Sequence, residues 1–240
     1  VNGKIDDVRI YNRAITEAEV AELYQLEKPE EPVIDLTSGL VAYYPFNGNA
    51  NDESGNGNDG EVHGATLVAD RNGEEYQAYS FDGNSSYIRS NVGQNSTVTV
   101  SLWFKSKKQT KWYPRILKYG NYGDGKQMGM GIAGTYPGSS QTSSTSEFFF
   151  HHDNGKGVSS NVRTHISKIV SLEQWYHAVG IVGKDANLKF YLNGELVEEK
   201  VLNTDLINNS GKLYIGRQSD DYDHPMSTSF FNGLIDDIRI

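Results

Sequence analysis

The sequence predicts an all-β fold: a two-sheet antiparallel jelly-roll sandwich with one short N-terminal helix. Three observations lead there. A dozen or more runs of strand length, several alternating between apolar and polar residues, recur between Gly-, Asn- and Asp-rich turns. Aromatics make up 11% of the 240 residues, with 15 Tyr and 9 Phe beside 25 Gly, a balance that favours strands and tight turns over helices. A strand-like decapeptide also occurs twice. Val1-Asn-Gly-Lys-Ile-Asp-Asp-Val-Arg-Ile10 returns, with conservative changes, as Phe231-Asn-Gly-Leu-Ile-Asp-Asp-Ile-Arg-Ile240. That period is too long for a solenoid repeat and reads as a tandem array of whole domains.

Taken in order, residues 1–10 are predicted as the first copy of this strand. Its alternation has one flaw. Ile235, Asp237 and Arg239 fall on one face and Asp236, Ile238 and Ile240 on the other, so one isoleucine sits with the charged residues. A helix follows through Tyr24. Thr16 is a good N-cap, Glu19 completes a capping box, and Ile15 with Val20 can form a hydrophobic staple. Glu27-Lys-Pro-Glu-Glu-Pro32 ends it and reads as a stiff linker. Strands are then predicted at Leu40–Phe46, Tyr76–Phe81, Tyr87–Ser90, Thr97–Lys105, Ile116–Tyr119, Gln127–Ile132, Phe148–His152, Val162–His165, Trp175–Val182, Leu188–Leu192, Glu195–Val201, Lys212–Gly216 and Gly233–Ile240. Between two of them, Asn193-Gly194 is the strongest hairpin signal in the chain.

The formal charge of −9 argues against nucleic acid or an anionic membrane as partner. Cysteine is absent, which excludes a disulfide framework or a thiolate metal site and leans toward a bacterial rather than an animal extracellular protein. No signal peptide or membrane span is visible, and a targeting segment would lie upstream of a chain that opens inside a domain.

Several segments together resemble the concanavalin A-like, laminin G-like jelly rolls of bacterial secreted proteins. They are Gly39–Gly60, Tyr79–Ile88, Val98–Phe104, Gln174–Val179, Leu188–Leu196, Leu213–Arg217 and the closing Phe231–Ile240, in that order. The resemblance implies two antiparallel sheets, with Leu40–Phe46 paired to Gly233–Ile240. On that basis residues 1–26 are the closing strand and helix of a preceding repeat, 27–36 a Pro/Glu-rich linker, and 37–240 a laminin G-like domain.

Asn47–Gly60 is rich in the hard oxygens that calcium requires, without the EF-hand spacing. In the resembled family this loop often meets the closing strand around a structural calcium, which implicates Asp52 and Asp236, with Asn56 and Asn58 as further ligands. A glycan or other surface ligand would be held by aromatic faces and a few directed polar groups. Tyr119, Tyr122, Asp124, His151, Arg217 and Tyr222 are the residues expected to serve that role. Trp103 and Trp175 read instead as core or sheet-face residues. Adjacent His151 and His152 point to opposite faces of a strand, so the pair cannot hold one ion. The Glu-x-Asp-x-x-Glu pattern of concanavalin A-like glucanases is missing, as are the Gly-x-Ser-x-Gly and His-Glu-x-x-His motifs. The expected function is therefore a non-catalytic extracellular binding module. The alternative is a structural or adhesive repeat that assembles with neighbouring repeats, or with other copies of itself, through end-strand and linker contacts.

Overall fold

The computed structural model describes residues 2–28, 34–93, 97–109, 114–120, 126–133, 144–154, 163–185, 187–201, 211–218 and 229–240. They divide into two units, Val1–Ser38 and Gly39–Ile240. In the first, Thr16 caps helix α1 (Glu17–Glu27), and the capping box closes as predicted: the Thr16 hydroxyl accepts from Glu19 N–H while the Glu19 carboxylate accepts from Thr16 N–H. Nothing on α1 is buried. Among the described residues, 2–10 pair with no strand, and Ile5, Val8 and Ile10 are exposed. A strand needs a neighbour to bond its N–H and C=O groups, and strand propensity alone does not supply one.

The second unit is a sandwich of two antiparallel sheets. Its strands are β1 (Tyr43–Tyr44), β2 (Glu61–His63), β3 (Thr66–Val68), β4 (Ala78–Asp82), β5 (Tyr87–Ser90), β6 (Val98–Ser106), β7 (Arg115–Tyr119), β8 (Lys126–Ile132), β9 (Thr145–Asn154), β10 (Arg163–Ser171), β11 (Trp175–Val182), β12 (Asn187–Leu192), β13 (Glu195–Val201), β14 (Leu213–Ile215) and β15 (Asn232–Arg239). Sheet A runs β13-β12-β11-β6-β15-β4-β3, with β1 also on β15; sheet B runs β10-β9-β8-β7-β14-β5-β2. Side chains alternate across each sheet, so Val100, Leu102, Phe104, Ile235 and Phe190 of sheet A meet Ile88, Leu117, Met130, Phe148, Phe150 and Ile215 of sheet B in one core.

The closing strand holds this together. β15 pairs with β4, β6 and β1, the last through Tyr43↔Arg239 and Tyr44↔Ile238, which is the pairing the family resemblance implies. The flaw in its alternation is a β-bulge. Register with β6 shifts between Asp236 and Arg239, and Asp237 takes φ 49°. One extra residue thus resets the phase, so Ile235, Ile238 and Ile240 all reach the core. Burying each isoleucine is worth about 1.5–3 kcal/mol. The Asn193-Gly194 turn is as predicted, with φ 52° and 82°, as a two-residue hairpin with two left-handed positions requires.

Candidate ligand surface

Across the outward face of sheet B, Glu61, Arg89, Tyr214, Lys118, Gly129 and His151 align in register on six successive strands. Alternation puts these residues outward because Ile88, Leu213, Leu117, Met130 and Phe150 turn inward. Gly129 and Gly131 of β8 fall in this face, and Gly131 has a steric reason: a Cβ there would run into the Phe149 ring and the Pro114 carbonyl. Arg115 lies over that ring, 4.9 Å from its centroid. Lys118, Phe149, His151 and Tyr214 are buried although they point away from the core.

Toward β2 and β5 the face becomes half-exposed. His63 stacks on Tyr87 with centroids 4.3 Å apart and planes 10° from parallel. The Arg217 guanidinium lies 4.5 Å from the Tyr87 centroid, 5.1 Å from that of Phe230 and 5.9 Å from that of Tyr214. Polar groups edge this stack, with Glu61 bonded to Arg89 and 3.0 Å from His63 Nε2. A run of stacked rings with a cation among them and charged groups at one edge is suited to hold the C–H face of a sugar ring and bond its hydroxyls.

The outward face of sheet A is arranged otherwise. Asp236, Trp103 and His177 align across β15, β6 and β11. Arg71, from the turn after β3, lies 4.7 Å from the Trp103 centroid and pairs with both Asp236 and Asp237. Arg239 bonds Asp237 at 2.8 Å, donates to the Tyr43 hydroxyl at 3.0 Å, and stacks on that ring. Burial raises the Asp236 pKa to about 6 even with Arg71 alongside. Next to Trp103, the Ser101 hydroxyl and His177 Nε2 are 2.8 Å apart, and burial lowers the His177 pKa. A cleft of ≈ 170 Å³ opens here, lined by Tyr43, Asn47, Arg71, Gln77, Asp236 and Asp237. Asp70 lines it too, so three carboxylates face the one guanidinium of Arg71 and the cleft is net acidic.

The residues proposed for calcium are occupied with each other. Asp52 accepts N–H groups of Tyr43 and Ser54 on one oxygen and of Asn58 on the other, which lowers its pKa against the effect of burial. The Val41 carbonyl accepts from Ser54 Oγ, Asn56 Nδ2 and Asn58 Nδ2, and Asn56 also reaches the Leu40 carbonyl. Side-chain amides thus meet the carbonyls an ion would otherwise bridge. Asp236 is engaged with Arg71 rather than with this loop. Among the described residues no three acids or histidines gather to hold a metal. As they stand, Asp52, Asn56, Asn58 and Asp236 do not fit a calcium site.

Of the residues expected to bind a ligand, His151 stands buried on sheet B, and Arg217 lies half-exposed just beyond β14, bridged to Phe230. Tyr119 is a correction. A bulge in β7 between Arg115 and Leu117 sends both Ile116 and Leu117 into the core and Tyr119 after them. Burial there pushes the Tyr119 phenol pKa well up. Tyr122, Asp124 and Tyr222 lie outside the described residues. Sequence reasoning missed His63, Tyr87, Phe230 and Arg71. Tyr87 alone carried a signal, since it alternates with the core residue Ile88.

Residues 82–240 match the family model described as the concanavalin A-like lectin/glucanases superfamily. No curated protein matches the chain in sequence. Among solved structures, domain 4 of AbnA, a GH43 extracellular arabinanase from Geobacillus stearothermophilus in complex with arabinotriose, is 21% identical with a TM-score of 0.59, covering 83% of this chain and 90% of that one. The binding domain of Paraclostridial Mosquitocidal Protein 1 is 16% identical with the same TM-score, covering 85% of this chain and 49% of that one. The binding domain of Botulinum Neurotoxin DC in complex with SialylT is 13% identical with a TM-score of 0.60, covering 85% and 48%. This chain therefore spans about half of either toxin domain. These similarities show a shared fold. Among the described residues, no helix is long and apolar enough to cross a membrane.

Proposed function

The chain belongs to the concanavalin A-like lectin/glucanases superfamily, and from that premise we propose that it is a non-catalytic, extracellular carbohydrate-binding module that reads its ligand on sheet B. The observation that carries this reading is the half-exposed stack of His63, Tyr87, Arg217 and Phe230. Stacked rings supply apolar contact without closing a cavity, and Glu61 and Arg89 supply hydroxyl partners at the edge. Two structural neighbours are complexes with a ligand, arabinotriose for one and SialylT for the other, which supports this chemistry without fixing the sugar. The non-catalytic part rests on the missing paired-glutamate strand motif of the family's glucanases. On the other face, Asp236 and Asp237 are each bound to an arginine.

The test is a glycan array probed with the full chain and with Tyr87→Ala. The expected result is retention of a defined set of oligosaccharides by the first, loss of that set by the second, and recovery of the retained glycan uncleaved. Equal retention by both chains would overturn the assignment to sheet B. Cleavage would overturn the non-catalytic reading.

A further inference from the structure

In the loop Asn47–Gly60 the side chains disagree with what the family resemblance implies. The resemblance implies a calcium ion shared by Asp52 and Asp236, and each carboxylate has partners of its own instead. Asp236 pairs with Arg71. The two oxygens of Asp52 accept the N–H groups of Tyr43, Ser54 and Asn58, each at 2.9 Å. A cation approaching Asp52 along those directions would meet N–H hydrogens, because the charge is already directed at backbone dipoles.

Hard oxygens do converge in this loop, and they converge on a nitrogen. Asn56 Nδ2 has the Leu40 carbonyl at 2.9 Å, Ser54 Oγ at 3.0 Å and the Val41 carbonyl at 3.1 Å. Asn58 Nδ2 reaches the same Val41 carbonyl at 3.0 Å, and Ser54 Oγ donates to it at 3.2 Å. Carbonyls only accept, which fixes the orientation of both amides: turned over, each would set an oxygen against oxygens. An electropositive atom ringed by two carbonyls and a hydroxyl has the surroundings that a calcium loop offers its ion. These carbonyls belong to the chain that enters β1. There the Val41 N–H bonds the Ile240 carbonyl at 2.7 Å, and the Ile240 N–H bonds the Ala42 carbonyl at 3.0 Å. The segment before β1 is thus tied to the end of the closing strand and, through the Leu40 and Val41 carbonyls, to Asn56 and Asn58.

We propose that the side-chain amides of Asn56 and Asn58 take the place of the cation, so that this clasp closes without calcium and becomes calcium-dependent when the amides are made carboxylates. An aspartate at either position sets a charged oxygen against the Val41 carbonyl. A divalent cation between the two oxygens turns that repulsion into attraction. The backbone at Asn58 is held independently, since its carbonyl accepts from the Tyr44 hydroxyl at 2.6 Å and from Ser90 Oγ at 2.8 Å. Substitution there changes the side chain and leaves those bonds in place. This inference does not rest on the glycan reading.

The experiment compares thermal unfolding of the full chain, Asn56→Asp and Asn56→Asp/Asn58→Asp, in EGTA and in about 10 mM calcium. The parent chain is expected to unfold within about 1 °C of the same temperature in both. Each aspartate variant is expected to unfold below the parent in EGTA and to rise by more than about 3 °C in calcium, with saturable calcium binding in calorimetry. Asn56→Ala separates charge from lost contact: it too is expected to unfold lower, and calcium leaves it unmoved. If the double variant does not fold in EGTA, Asn56→Asp, a change at an exposed residue, decides the matter. Stabilisation of the parent chain by calcium would overturn the proposal, and so would an Asn56→Asp chain that calcium neither binds nor stabilises.

Discussion

On the outward face of sheet A, Arg71 and Arg239 commit their guanidinium groups to Asp236 and Asp237, whereas on sheet B Arg217 lies among the rings of Tyr87, Tyr214 and Phe230. The residue types are much the same and the consequence differs. A cation matched to buried carboxylates is consumed in holding a strand: Arg71 ties the turn after β3 to the bulge of β15. A cation matched to rings leaves half-exposed aromatic surface beside it. Sheet A should therefore govern stability and sheet B should govern binding.

The sharpest way to break that division is Arg71→Met. It strands Asp236, 2% exposed, without its counter-charge. A loss of about 3–5 kcal/mol is expected in denaturant unfolding at neutral pH, with glycan retention unchanged for the molecules still folded. If retention falls instead, sheet A belongs to the ligand surface.

A pH titration of stability comes next in size. The Asp236 pKa rises from 3.8 to about 6 on folding, so between those values the folded chain binds more protons than the unfolded one. Its contribution is then most favourable below pH 4 and is lost as pH rises through 6. At about 1.4 kcal/mol per pH unit this amounts to about 3 kcal/mol. The difference between the stability curves of the parent chain and Asp236→Asn isolates that slope from the lowered carboxylates Asp52, Asp70 and Asp82, which act in the opposite sense. A flat difference curve would mean that Arg71 offsets burial completely.

Tyr87→Ala probes the other side. Its expected cost is about 1–2 kcal/mol in affinity, or roughly tenfold or more, with less than about 1 kcal/mol in stability because the ring is half-exposed. A large stability loss would assign the stack to packing. Smallest of all is the effect of a chelator. Asn56 and Asn58 already satisfy the Leu40 and Val41 carbonyls, so calcium removal should move Tm by less than about 1 °C. A substantial drop would restore the ion to that loop.

The sequence made the scaffold legible wherever one element carried its own signal. Alternation located β6 to within a residue, the capping box located α1, and Asn193-Gly194 located a hairpin. The strands β2 and β3 were missed because three residues carry no period. The flaw at Asp236-Asp237 was visible, but only the ladder shows it to be a bulge. Bulges also explain Tyr119, since one extra residue in β7 reverses the face on which a tyrosine stands. The ligand surface was less legible for a related reason. Arg217 was identifiable alone, but His63, Tyr87 and Phe230 join it only through register between β2, β5 and the residues beyond β14.

The most direct test of the division between the faces is to titrate isotope-labelled full chain with an oligosaccharide retained on the array, following aromatic ring resonances by NMR. Shifts are expected at His63, Tyr87 and Phe230, with Tyr43, Trp103 and His177 unmoved. Shifts confined to Tyr43, Trp103 and His177 would contradict it and place the ligand in the cleft of sheet A.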